Sequence, residues 1–177
     1  MDEFNVALLI LRVAIGLTLV AHGAAKLRSG LDGVGAWFES MGMRPGKLNA
    51  FLAATGEILA GLLFAAGLLT SFEALGLVGL MTVAAVTSHI RNGFFIYNEG
   101  EGWEYVFVLA IVAIAVAILG PGEWSIDEAL GIVEDFDGYV GLAISAGGGV
   151  VAAGLLLAVA YRPPPPEPVA TDALTEA

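Results

Sequence analysis

Two ionisable residues lie inside apolar segments of this chain. Arg12 lies in the stretch Val6–Ala25, and Glu57 lies in the stretch Leu48–Leu69. A charge inside a membrane costs several kcal/mol unless it is paired or hydrated, so each such residue is a functional hypothesis by default. Adjacent antiparallel helices would bring Arg12 and Glu57 to similar depth, and we predict that they form an ion pair inside a helix bundle. The pair has two interpretations, a structural ion pair that fixes helix register or a polar site for a small ligand or quinone head group.

Further polar residues gather toward one end of the apolar segments. His22 and Lys26 stand four residues apart and therefore share one face of the first helix. His89 and Arg91 end a third apolar segment, and Glu104 opens a fourth. Each also has an ordinary interpretation, because basic side chains reach lipid head groups and histidines form hydrogen bonds at helix ends. The predicted intramembrane polar site comprises Arg12, His22, Lys26, Glu57, His89, Arg91 and Glu104.

No known catalytic or cofactor motif accompanies these residues in the sequence. The chain has no cysteine, which excludes disulfides, thiol redox chemistry, iron–sulfur ligation and cysteine zinc sites. It also lacks a phosphate-binding loop, an HExxH pair and a dinucleotide fingerprint. A haem held between His22 and His89 is geometrically conceivable, but two histidines are a weak signal for one. We therefore expect no metal and no resident cofactor. Quinone is a candidate ligand of the polar site, and whether the chain is catalytic stays open.

The composition favours lipid rather than water as the solvent. Of the 177 residues, 58% are hydrophobic and only 14% are charged, whereas roughly a quarter are charged in ordinary soluble domains. A soluble globule of this size cannot bury so much apolar surface. The net charge of −11 also makes the chain a poor partner for nucleic acid. The expected partner is therefore the lipid bilayer.

Five segments are candidates for membrane-spanning helices, which need roughly 20 mainly apolar residues. They lie near Val6–Ala25, Leu48–Leu69, Glu73–Ile90, Tyr105–Gly120 and Tyr139–Tyr161. Strands would leave open edges in lipid, so the predicted fold class is all-α, a polytopic transmembrane helix bundle with a four-helix core plus an additional C-terminal transmembrane helix. Gly141, Ser145 and Gly149 repeat every four residues on the fifth segment. This spacing predicts close helix packing, either within the chain or between protomers of a homo-oligomer.

The segments divide the chain into three parts. Residues 1–138 form the four-helix membrane core with its acidic outer loop, residues 139–161 form the additional helix, and residues 162–177 form a proline-rich tail that we expect to be disordered. Basic residues occupy the first and third loops and the tail, whereas the fourth loop has only acidic charges. The positive-inside rule then predicts a multi-pass protein of the cell membrane, with its N-terminus outside and its C-terminus in the cytoplasm. The acidity has two interpretations, ordinary loop solubility or adaptation to high salt.

The order and spacing of these landmarks resemble the DoxX family of small membrane proteins. The stretch Leu8–Leu27, LLILRVAIGLTLVAHGAAKL, looks like the opening helix of the family, with matching residues at Arg12, Gly16, His22, Gly23 and Lys26. There follow in order GEILAGLLFAAGLLT with Glu57, HIRNGFF with His89, GWEYVFVLA with Glu104, and GPGEWSID with Ser125 and Asp127. The resemblance covers about Val6–Asp127, and nothing is carried over to the residues from Gly138 onward.

The resemblance implies a four-helix membrane bundle. Some relatives are subunits of thiosulfate:quinone oxidoreductases, others are membrane partners in redox or oxidative-stress complexes, and many have no established activity. We therefore expect a membrane subunit or anchor of a quinone-linked redox complex, which would need a membrane or peripheral oxidoreductase as its catalytic partner. The alternative is a non-catalytic membrane scaffold or small-solute carrier.

Overall fold

A computed structural model describes residues 3–164, and these residues are almost entirely helical. Within that range the only β-type pairing is one isolated bridge between Met43 and Tyr161. The predicted all-α fold class is therefore confirmed. The predicted disorder of the proline-rich tail concerns mainly residues 165–177, which lie outside the described residues.

Nine α-helical segments follow one another along residues 3–164. The longer ones are α1 (Glu3–Arg28), α2 (Leu31–Ser40), α3 (Gly46–Ala66), α4 (Thr70–Ala84) and α5 (Glu104–Leu119). The shorter ones are α6 (Ile126–Leu130), α7 (Val133–Phe136) and α8 (Gly138–Leu142), and α9 (Gly149–Ala160) ends the fold. Helix α4 continues through the π-helical turn Ala85–His89 and the 3-10 turn Ile90–Asn92. A second π-helical turn, Ala143–Gly148, joins α8 to α9, and these three pieces are called the C-terminal span.

Within residues 3–164, four helical segments are long and apolar enough to cross a membrane by length and composition. They are Glu3–Arg28, Gly46–Ala66, Thr70–Asn92 and Gly138–Ala160. Their outward surfaces carry exposed Leu, Ile, Val and Phe side chains along their length, which suits contact with lipid rather than with water. The chain is therefore an integral membrane protein that crosses the bilayer several times.

The fourth predicted span corresponds to α5, which is shorter than the others. Its 16 residues extend only about 24 Å at 1.5 Å per residue, against a hydrocarbon core of about 30 Å. Even so, α5 follows α1 over most of the length of that helix. Tyr105 at its start contacts His22 near the end of α1, and Gly122 just beyond its end lies against Asn5 near the start of α1.

The hydrophobic core lies between α1, α3, α4 and α5. Glycines let α1 and α3 approach backbone to backbone, because a Cβ on Gly16 would collide with the carbonyl oxygen of Gly61 and a Cβ on Gly61 with that of Gly16. Gly23 lies in the same way against the carbonyl oxygen of Ala54. These contacts fix the register of the antiparallel pair. The buried core residues are Leu8, Ile15, Leu19, Phe64, Ala74, Leu77, Met81, Val106, Leu109, Ala113, Val116 and Ala117.

The C-terminal span packs on the outside of this core, against α4 and α5. Gly141 lies against the carbonyl oxygen of Ala117 in α5, and Gly149 lies against Val78 in α4. Ser145, between them in sequence, is fully buried, and its hydroxyl donates to the Gly141 carbonyl at 2.7 Å. The predicted small residues therefore pack within the same chain. Packing of these residues between protomers of a homo-oligomer stays a prediction.

The two ends of the bundle differ in charge. We call one of them the basic end. There α1, α4 and the C-terminal span finish and α3 begins. All lysines and arginines except Arg12 lie in these segments or beside them. The opposite end is covered by residues 121–137, which contain six acidic residues and no basic one, and is called the acidic end. The start of α1 and the finish of the C-terminal span lie at opposite ends.

Candidate intramembrane polar site

An ion pair connects α1 and α3 near the basic end. The Nζ of Lys26 donates hydrogen bonds to both carboxylate oxygens of Glu57, at 2.7 and 2.6 Å. Only 19% of the Lys26 side chain and 7% of the Glu57 side chain are exposed. A carboxylate buried in a membrane span is stable only with such a partner, so Lys26 explains how Glu57 is accommodated there.

The predicted ion pair between Arg12 and Glu57 is wrong, because helix register and side-chain direction oppose it. The Gly16–Gly61 contact places Glu57 level with residue 20 of α1, which is about 12 Å along the helix from Arg12. Side chains on a helix also lean toward its N-terminus. Arg12 therefore leans away from Glu57, whereas Lys26 leans toward it.

Arg12 is instead buried beneath the acidic end. Its Nη2 donates to the carbonyl oxygen of Trp124 at 2.6 Å, and its side chain is fully inaccessible. Its Nε and Nη1 have no hydrogen-bond partner among residues 3–164. The carboxylate of Asp127 acts on the guanidinium electrostatically. Since Asp127 is itself buried, the two opposite charges partly compensate each other in a site that water does not reach.

Asp127 also holds the acidic end onto the turn between α3 and α4. Its carboxylate accepts hydrogen bonds from the backbone N–H of Leu69 at 2.7 Å and from the N–H and hydroxyl of Thr70 at 2.9 and 2.7 Å. Its own N–H donates to the Gly67 carbonyl at 2.8 Å. The carboxylate therefore satisfies the N–H groups that the start of α4 leaves without helical partners.

A second polar pair lies beside Lys26 and Glu57. The hydroxyl of Tyr105 in α5 lies 3.3 Å from Nε2 of His22 in α1, and the charge of Glu57 also acts on Tyr105. We call His22, Lys26, Glu57 and Tyr105 the basic-end cluster. Tyr105 was not among the predicted site residues, although its position one residue after Glu104, at the start of a span, was available as a signal.

The other three predicted site residues lie where α4 and its continuation end and where α5 begins. Nδ1 of His89 lies 2.9 Å from the carbonyl oxygen of Glu101, and the Glu104 carboxylate accepts the backbone N–H of Ile96 at 3.1 Å. Arg91 is exposed at the end of α4. The structure thus brings His22, Lys26 and Glu57 together and leaves Arg12 at the other end. The functional role of all seven residues stays a prediction.

The architecture and the buried ion pairing define a class, the polytopic helical membrane proteins with ionised side chains inside the bundle. Within that class, the family model DoxX matches residues 7–90. The predicted resemblance to the DoxX family is therefore confirmed over these 84 of the 177 residues. The match spans α1 to α4 and so includes Arg12, His22, Lys26, Glu57 and His89, but it ends before Glu104, Ser125 and Asp127. Neither a curated protein nor a solved structure shows a significant match to the chain.

Proposed function

We propose that the chain is a membrane subunit or anchor of a quinone-linked redox complex, and that the basic-end cluster receives the quinone head group. The observation that supports this most is the buried Lys26–Glu57 pair next to the His22–Tyr105 pair. Polar groups from α1, α3 and α5 meet there, beside a core of apolar side chains. Ionisable residues within membrane-spanning segments are rare, and they commonly mark ligand sites or proton pathways.

The cluster has the donors and acceptors that quinone chemistry needs. Quinone carbonyl oxygens accept hydrogen bonds, and Lys26 and Tyr105 can donate them. Reduction to quinol takes up two electrons and two protons. Glu57 and His22 are groups that can pass protons to the reduced oxygens. The electrons come from the oxidoreductase partner, since the sequence contains neither cysteine nor a cofactor-binding motif.

A binding assay with matched variants tests the proposal. The purified chain in detergent is titrated with a quinone analogue, followed by quenching of tryptophan fluorescence. We expect saturable binding by the native chain and at least roughly tenfold weaker binding by Glu57→Gln, which loses the charge that orders the cluster. Glu73→Gln is the control, because Glu73 lies in the first turn of α4 at the other end. The absence of saturable binding by the native chain, or equal binding by both variants, would argue against the site.

A second candidate function, a non-catalytic scaffold, is favoured by one specific observation. Lys26 occupies both carboxylate oxygens of Glu57, as a purely structural ion pair would. Co-purification from native membranes separates the two candidates. An oxidoreductase recovered at a fixed ratio supports the redox subunit, whereas recovery of the chain with lipids alone supports the scaffold.

We also propose that the basic end faces the cytoplasm of a cell membrane. Six of the seven lysines and arginines belong to that end, the exception being Arg12. Basic residues in short loops are retained on the cytoplasmic side during insertion. The basic-end cluster would then lie in the cytoplasmic half of the bilayer, within reach of a peripheral partner on that side.

A further inference from the structure

An open cavity of about 500 Å³ lies at the basic end. It lies beside the turn between α2 and α3 and the end of the C-terminal span, and none of its lining residues belongs to the basic-end cluster. Its volume falls within the range of small-molecule sites, roughly 300–1,000 Å³. The lining residues are Glu39, Arg44, Pro45, Val159, Ala160 and Arg162.

Backbone hydrogen bonds hold both lining arginines at this cavity. The N–H of Arg44 donates to the Ala160 carbonyl at 2.8 Å, and the N–H of Arg162 donates to the Gly42 carbonyl at 2.8 Å. These bonds accompany the isolated bridge between Met43 and Tyr161. The backbone therefore holds both arginines at the cavity, whatever partners their side chains take.

The two guanidinium groups retain donors for an anion. Within residues 3–164, no hydrogen bond or ion pair involves the Arg44 guanidinium. Arg162 uses Nη1 for the carbonyl oxygens of Ala158 and Tyr161, at 3.3 and 2.8 Å, and a guanidinium carries five N–H donors in total. Glu39 is the one acidic lining residue, and it accepts the backbone N–H of Gly46 at 3.1 Å. The cavity thus holds two positive charges against one negative charge.

An apolar stripe runs from the cavity along the C-terminal span. Val159, Leu155 and Val151 follow one another at intervals of four residues, and they are 76%, 65% and 62% exposed. This spacing places them on one face of the helix. A ligand with an anionic head and a long apolar tail matches both features, because its head would meet the arginines while its tail followed the stripe toward the membrane interior.

We propose that this cavity binds the phosphate group of an anionic phospholipid. Arginine forms paired hydrogen bonds with phosphate oxygens, which gives the site geometric preference as well as charge. Basic pockets between transmembrane helices are known to hold anionic head groups. Inorganic phosphate could contact only the arginines, whereas a lipid would also contact the apolar stripe. The stripe is therefore what favours a lipid over inorganic phosphate as the occupant.

Native mass spectrometry of the full chain tests this lipid site. The chain is reconstituted in vesicles of equal phosphatidylglycerol and phosphatidylcholine, extracted in mild detergent, and weighed with its retained lipids. At roughly fivefold in affinity per arginine, we expect Arg44→Gln/Arg162→Gln to reduce phosphatidylglycerol retention about 25-fold relative to the native chain. The control is Arg28→Gln/Arg91→Gln, which removes two charges from the same end outside the cavity and should retain the lipid.

Three results would overturn the lipid site. They are no preference of the native chain for phosphatidylglycerol, equal losses in both double variants, and displacement of the lipid by millimolar inorganic phosphate, which would indicate a site for free anions. If the glutamine variant does not fold, Arg44→Lys/Arg162→Lys provides the test. Lysine preserves the charge but not the paired hydrogen bonds, so phosphatidylglycerol retention should fall several-fold, and unchanged retention would contradict the proposal.

Discussion

Gly67 lies directly against the guanidinium of Arg12, at the residue where α3 ends. The backbone of Gly67 is left-handed, with φ 67° and ψ 47°, a conformation that favours glycine. A Cβ at this position would overlap Nη1 of Arg12 and crowd the Cβ of Ser125. One glycine therefore allows a helix end, a buried charge and the acidic end to meet at one place.

We expect Gly67→Ala to destabilise the protein by at least about 2 kcal/mol, since a left-handed alanine costs roughly 1–2 kcal/mol before any overlap with Arg12 is added. In a thermal melt of the purified chain in detergent this loss should lower Tm by about 4–8 °C. Gly56→Ala is the control in the same helix, because a Cβ there meets nothing within 4 Å and alanine favours helix. If both variants melt like the native chain, Arg12 does not require the space at Gly67.

Hydropathy and length predicted most of this fold. They placed the spans to within a few residues. A segment that crosses lipid must be long and apolar, and a helix is the structure in which it can satisfy its own backbone hydrogen bonds. The register between α1 and α3 was not predictable in the same way. The depths of Arg12 and Glu57 in the membrane were inferred from the lysines at the ends of their helices. The structure shows that the contact between Gly16 and Gly61 sets the relative positions of the two helices. Because of this error, Arg12 was predicted as the ion-pair partner of Glu57, whereas the partner is Lys26.

The partners of Arg12 were beyond local sequence signals. The spacing of Ser125 and Glu128 is typical of a helix start, and Ser125 does accept the N–H of Glu128 at 3.1 Å. Nothing local indicates that Asp127 binds Leu69, which is 58 residues away in sequence. Contacts of this kind depend on how the acidic end folds back over the helices, and only the tertiary structure shows it.

The Lys26–Glu57 pair should show strong coupling in a double-mutant cycle. Lys26→Met leaves a buried carboxylate without its partner, which we expect to cost about 3–5 kcal/mol. Lys26→Met/Glu57→Leu removes both charges, and an apolar pair inside a membrane bundle should recover most of that loss. The measurement is Tm of Lys26→Met, Glu57→Leu and the double variant in the same detergent. A double variant whose loss of stability equals the sum of the two single losses would show that the two residues act independently.

An exposed ion pair in the same chain provides a control for that cycle. Lys47 lies 2.6 Å from Asp32, and their side chains are 67% and 89% exposed. Surface pairs of this kind contribute little, so Lys47→Met should cost less than about 1 kcal/mol. If Lys47→Met and Lys26→Met lower Tm equally, the burial of the Lys26–Glu57 pair does not add to the cost of losing the lysine charge.

Asp127→Asn should weaken the attachment of the acidic end to the helices. The amide can accept fewer hydrogen bonds from Leu69 and Thr70, and it no longer compensates the charge of Arg12. Hydrogen bonds to charged groups contribute about 1.5–3 kcal/mol each, so we expect a loss of at least about 2 kcal/mol, measured as a lower Tm. Glu128→Gln, an exposed change in the same helix, should leave Tm unchanged. Equal effects of the two substitutions would contradict the role of Asp127.

The proposed orientation predicts which residues a membrane-impermeant thiol reagent reaches in intact cells. The chain has no cysteine of its own, so single substitutions report without background. Glu128→Cys at the acidic end should be labelled from outside, because basic loops stay in the cytoplasm and acidic ones cross. Ser40→Cys, at the end of α2 on the basic end, should be labelled only after the membrane is made permeable, which also proves that this thiol is reactive. The reverse pattern would invert the orientation and move the basic-end cluster and the lipid cavity to the outer face.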